Sequence, residues 1–163
     1  MRALSGGTHH FKVNNLPPGT AMANEIPQKH VLYIEASDLV QESHAPALEK
    51  RLHCSVRQAF SEAAALEALS FKDRFDVIIL GDISKPVNDE EPVAELSIIR
   101  KARQLDKTVP IIIFTSQNYI QLARDAGAND FLLKPAGVTA LIEIIKPYLS
   151  PNFRDSREPK QTD

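Results

Sequence analysis

Residues Gly127 to Pro135 read GANDFLLKP, and the architecture is legible outward from them. Gly127 follows a segment carrying Tyr119, Leu122 and Ala123, and stands where a short helix takes a left-handed C-cap. Phe131 to Leu133 is a strand-length apolar run closed by Lys134 and Pro135. Beyond it Val138, Leu141, Ile142 and Ile145 recur at helical spacing, until Pro147 ends or bends the last turn. The same unit repeats upstream. Ile111 to Phe114 precedes the Tyr119 helix, and Val77 to Leu80 is continuously apolar, as a strand covered on both faces requires. A polar loop through Lys85, Pro86 and Asn88 then leads to Pro92, Val93, Leu96, Ile99, Ala102 and Leu105, spaced as one helical stripe. Ser55 to Phe60 is a weaker strand, followed by Ser61 as cap of a helix through Glu62, Ala65, Leu66 and Leu69. Val31 to Ile34 is too short for a helix, and the helix after it is expected through Ala47, Leu48, Arg51 and Leu52, with Pro46 in its first turn.

Five alternating strand-helix pairs predict an α/β fold, a doubly wound five-stranded parallel sheet with helices on both faces. Such sheets bind ligands beyond the carboxyl ends of their strands. Glu35, Asp82, Thr115 and Lys134 all fall at those ends. The pattern occupies residues 30–149. Residues 1–29, with Gly6, Gly7, Pro17, Pro18, Gly19 and Pro27, read as a disordered arm, and polar residues 150–163 read as a disordered tail. Adjacent His9 and His10 in the arm have no further ligands at metal-site spacing.

At 163 residues, 43% hydrophobic and 25% charged, the chain suffices for one well-buried domain. A net charge of −2 without a Lys/Arg stripe argues against direct nucleic-acid or anionic-membrane binding. The single cysteine, Cys54, excludes an internal disulfide and, with no secretion signal and no membrane-length apolar run, leads to the expectation of a cytoplasmic protein. Cys54, His30, His44 and His53 lack the spacing of a metal site or catalytic triad and read as structural.

Taken together, VLYIEAS (Val31 to Ser37), DISKP (Asp82 to Pro86), the Thr115 that follows PIIIF, and GANDFLLKP resemble the receiver domain of two-component response regulators, over roughly residues 29 to 149. The resemblance implies the flavodoxin-like (βα)5 receiver fold and a division of labour. Asp82, four residues before Pro86, would accept a phosphoryl group; Thr115 would sense a phosphoryl oxygen, Lys134 would contact another, and Phe131 would be the aromatic switch. Glu35, with Asp82, would hold Mg²⁺. It also implies a histidine kinase or phosphotransfer protein as donor and an effector protein as target, in a signalling domain rather than a conventional enzyme. The receiver uses about 120 residues, so no output domain is expected within this chain. Ile144, on the closing helix, is an expected exposed apolar residue and makes self-association conceivable.

Two departures bear on this reading. The second acid of the expected pair is Ala36, which removes one Mg²⁺ ligand and predicts weak binding; Asp38 is expected to begin the following turn. Counted from Phe75, Asp82 also arrives one residue late. Because side chains alternate along a strand, either Gly81 absorbs the extra residue as a bulge and Asp82 faces the pocket, or Gly81 itself fills the acceptor position. A phosphorylation-independent pseudo-receiver acting as a protein-binding module is therefore the alternative. A nucleotide or flavin enzyme on the same sheet is disfavoured, since Glu35-Ala36-Ser37-Asp38 offers no glycine-rich turn for a pyrophosphate.

Overall fold

The computed structural model describes residues 28–71, 74–85, 90–151 and 153. Most of the anticipated arm and tail, and Pro86, lie outside the described residues. The strands are β1 (Lys29–Ile34), β2 (Cys54–Ala59), β3 (Val77–Leu80), β4 (Ile111–Thr115) and β5 (Asp130–Leu133). The helices are α1 (Asp38–Leu52), α2 (Glu62–Ser70), α3 (Val93–Leu105), α4 (Ile120–Ala126) and α5 (Val138–Ile145), and a 3₁₀ turn at Lys146–Leu149 follows where Pro147 enters.

All five strands run parallel in the order β2-β1-β3-β4-β5. Alternation along each strand divides the core in two. Leu32, Ile34, Ile78, Leu80, Ile111 and Ile113 pack with α2, α3 and α4. Val31, Tyr33, Val77, Ile79, Ile112 and Phe114 pack with Leu48 of α1 and with Leu141, Ile142 and Ile145 of α5. The order reverses between β1 and β3, so the crevice outside their carboxyl ends is the topological switch point.

Local chemistry agrees with most of the expected boundaries. The Ser61 hydroxyl accepts from Ala64 N at 3.1 Å and caps α2. Gly127 closes α4 at φ 118°, a left-handed conformation that a side chain disfavours. The first helix differs from expectation. It starts at Asp38, capped by the Ser37 hydroxyl accepting from Val40 N at 3.3 Å, so Pro46 lies in its interior rather than its first turn. An interior proline costs about 3 kcal/mol, and tertiary packing overrides that cost. Gln41, Ala45 and Leu48 form the buried stripe of α1, and the Gln41 amide donates to Tyr33 O at 2.9 Å. In α3 the predicted stripe is buried at Leu96, Ile99 and Ala102, whereas Val93 and Leu105 at its ends are exposed.

One further expectation changes at the C-terminal end. Ile144 is half-buried, because it packs against the α1/α5 core, and so is not the exposed apolar residue that was expected. Near the C-terminal end of the described residues the Phe153 ring stands edge-on to Tyr148 at 5.2 Å. Among the described residues no helix is long and apolar enough to cross a membrane. Cys54 is buried with its Sγ 3.6 Å from Leu48 O, and burial, then the Glu49 charge, push its thiol up to about 11, well away from a reactive thiolate.

Candidate functional site

The extra residue before Asp82 is accommodated at Gly81. Gly81 N donates to Ile34 O at 2.7 Å, continuing the β1–β3 register. The next β1 donor, Ala36 N, then meets the carbonyl of Asp82 at 3.0 Å and skips that of Gly81. One residue more on β3 than on β1 is a bulge, and it re-aims the chain so that Asp82 meets β4 and β5 residues. Glycine is required there by close approach: a Cβ on Gly81 would stand 2.0 Å from Glu35 Oε2 and 3.0 Å from Ile34 O.

Four strand ends then supply the site. The Thr115 hydroxyl at the end of β4 donates a short hydrogen bond to Asp82 Oδ1. Ser116 donates both its N–H (3.0 Å) and its hydroxyl (2.8 Å) to Asp82 Oδ2. Lys134 Nζ, just past β5, lies 3.2 Å from Asp82 Oδ2 and 3.2 Å from Glu35 Oε2, and 5.3 Å above the Phe114 ring. Glu35 Oε2 also accepts from Asp82 N at 2.9 Å. One ammonium thus joins two carboxylates that approach from neighbouring strands.

These contacts set the ionisation of Asp82. Burial alone would raise its pKa, but the Thr115 hydroxyl, the Ser116 N–H and hydroxyl, and the Lys134 ammonium together reverse the effect, and the carboxyl ionises below its ordinary value. Asp82 is therefore an anion at neutral pH. Its side chain is 19% exposed while that of Glu35 is 3% exposed, so Asp82 is the more open of the two carboxylates.

The loop after Asp82 is held from α3. Glu95, buried, accepts from Ile83 N (3.1 Å), Ser84 N (2.9 Å) and the Ser84 hydroxyl (2.7 Å). Gln117 Nε2 donates to Ser84 O at 3.2 Å from the other side. Phe131 lies on β5 away from this cluster, half-buried against the α2/α3/α4 core, with the Arg124 guanidinium 5.2 Å over its ring. Sequence reasoning did not single out Ser116 or Glu95. A second hydroxyl directly after Thr115 was a visible signal; Glu95 stands in the first turn of α3, and only the tertiary structure turns it inward.

Comparison with known proteins accords with this geometry. The response regulator receiver domain family matches residues 31–146. The chain belongs to that family. The transcriptional regulatory protein CseB of Streptomyces coelicolor is 31% identical over 130 residues, which cover 75% of this chain and 50% of that protein. The receiver thus spans about half the length of the curated relatives it matches. Among solved structures, a CheY-like receiver domain protein from Methanospirillum hungatei JF-1 is similar with a TM-score of 0.62 at 18% identity, covering 78% of this chain and 98% of that one. The receiver domain of a sensor histidine kinase from Pseudomonas aeruginosa PAO1, with a magnesium ion coordinated in its active-site cleft, has a TM-score of 0.56 at 22% identity, covering 75% of this chain and 98% of that one. At such identities the structural likeness speaks for the fold. In this receiver the carboxylates of Glu35 and Asp82 meet at the Lys134 ammonium, and Ala36 beside them has no ligating side chain. Among the described residues no group of three or more His, Cys, Asp or Glu side chains is arranged to hold a metal.

Proposed function

We propose that this receiver accepts a phosphoryl group on Asp82 from a histidine kinase or phosphotransfer protein, and that the change is read by an effector protein. The observation that carries the reading is an ionised, partly exposed carboxylate ringed by a lysine and three hydrogen-bond donors from β4 and its exit. An Asp82 oxygen would form the new O–P bond as the bond to the donor's imidazole nitrogen breaks, with the electron pair leaving on that nitrogen. Being already ionised, Asp82 has no proton to lose first. Lys134, Thr115 and Ser116 would then stabilise charge on the phosphoryl oxygens from fixed positions. Near-balanced charge supports protein partners over direct nucleic-acid contact. The inert Cys54 thiol suits a reducing cytoplasm.

The donor set fits a weakly held magnesium ion, with Glu35 and Asp82 as ligands and water completing the shell. Magnesium would supply further positive charge at the phosphoryl oxygens. Restoring the missing acid as Ala36→Asp is expected to tighten Mg²⁺ binding about tenfold or more, read by isothermal titration calorimetry; unchanged affinity would show that Ala36 is not what weakens the site.

The test of the main reading is intact-mass analysis after incubation with acetyl phosphate and Mg²⁺. A phosphate-sized gain in this protein and none in Asp82→Asn is expected. The missing acid at Ala36 favours one other reading, a pseudo-receiver that binds partners without phosphorylation. A folded sample that gains no mass under these conditions would support it.

A further inference from the structure

A cavity of about 510 Å³ opens between α2 and α3 near the amino end of β3, at the end of the sheet opposite Asp82. Its walls are Leu69 and Phe71 from α2 and its C-cap, Phe75 and Ile78 from β3 and its approach, and Ala102 and Leu105 from α3. That volume is typical of small-molecule sites, which pair an apolar lining with a few polar groups. Phe71 and Leu105 are 49% and 52% exposed, so the apolar lining continues out to a rim that water now covers.

The charges around this rim leave one sign over. Asp106 lines the cavity, but its Oδ2 faces Arg74 Nε at 3.5 Å, and its Oδ1 accepts from Thr108 N at 2.9 Å and Val109 N at 3.1 Å. Its charge is already met. The Arg57 guanidinium stands 4.6 Å from the centre of the Phe71 ring, and Lys107 is itself part of the lining. Among the described residues neither cation has a carboxylate within ion-pair distance.

We infer that this cavity binds a small amphipathic anion, a carboxylate carried on an aromatic body of one or two rings. The body would lie against Phe71, Phe75 and Leu105, taking apolar surface on both partners out of water, while the carboxylate meets Lys107 at the rim. A neutral ligand of the same shape would gain only the first contribution, and a cation would meet Lys107 and Arg57 with like charge. The site shares no residue with the Asp82 cluster, so it stands apart from the phosphoryl-acceptor reading.

The test is a titration of the full chain, followed in ¹H–¹⁵N spectra, with 2-naphthoate and its near-isosteres 2-naphthalenemethanol and 2-naphthylmethylammonium. The carboxylate is expected to give saturable shifts at Phe71, Phe75, Ile78, Leu105 and Lys107. The alcohol should bind about two- to fivefold more weakly, the equivalent of one exposed ion pair, and the ammonium more weakly still. Lys107→Gln should lower the affinity for 2-naphthoate to that of the alcohol and leave the alcohol unaffected. Leu105→Asp, a change at a half-exposed position, should weaken both by about tenfold or more. Absence of saturable shifts at the lining, equal affinities for the three compounds, or an unchanged affinity for 2-naphthoate in Lys107→Gln would each overturn the inference. Lining resonances that move on dilution of the protein alone would show a second copy covering the rim, and would overturn it as well.

Discussion

Lys134→Met is expected to destabilise the protein by about 3 kcal/mol at neutral pH and to slow phosphoryl acceptance by about 10²-fold. Lys134 Nζ is 3.2 Å from each of two carboxylates, one of them on a Glu35 side chain that is 3% exposed. Methionine keeps the bulk of the chain but leaves both anions facing each other without a cation. Removing one member of a buried ion pair costs about 3–5 kcal/mol, and the lower end applies because the lysine and Asp82 both reach water. The pH dependence separates this charge effect from a packing defect. Asp82 ionises below its unfolded value, so its share of stability is present above pH ~4 and is lost as pH falls through its native pKa. The deficit of Lys134→Met measured by urea unfolding should therefore shrink as the pH falls below ~4 and Asp82 takes up its proton. A deficit of constant size from pH 7 to pH 3 would mean that lost packing against Phe114, and not charge, is responsible.

Gly81→Ala is expected to cost about 2–4 kcal/mol and to abolish phosphoryl acceptance, from the addition of a single methyl group. That methyl would stand 2.0 Å from Glu35 Oε2 and 3.1 Å from its Cδ. Glu35 has little room to give way, since it is buried and its Oε2 is held by Asp82 N and Lys134 Nζ. Any shift large enough to relieve the contact breaks both bonds and disturbs the bulge that aims Asp82. The cause is checked by a double-mutant cycle with Glu35→Ala. On the alanine background the Gly81→Ala cost should fall to about 1 kcal/mol or less, the remainder coming from the Ile34 carbonyl. Equal costs on both backgrounds would assign the defect to the backbone contact instead.

Both variants act where two strands with different residue counts meet, and this marks how far the sequence could be read. The short apolar runs at Val31 to Ile34, Val77 to Leu80, Ile111 to Phe114 and Phe131 to Leu133 are too brief to be anything but strands once helical stripes separate them, and they became β1, β3, β4 and β5, the first three buried and β5 only partly so. Ser61 and Gly127 marked boundaries because capping is local chemistry. Pro46 misled for the complementary reason. A proline's local cost reads as a helix start, while the buried stripe of Gln41, Ala45 and Leu48, which outweighs it, depends on β1 and β2 being alongside.

The order of apolar runs and turn residues by itself determined a parallel, doubly wound sheet and placed Glu35, Asp82, Thr115 and Lys134 at one end of it, because strand direction in such a sheet follows from alternation alone. Whether Asp82 or Gly81 would face that end depended on a single skipped carbonyl between β1 and β3. The inward turn of Glu95 and the burial of the Tyr119 hydroxyl were likewise decided only by tertiary packing. Side-chain direction at a bulge or at a helix's first turn is set by the neighbours it meets, and those neighbours are distant in the chain.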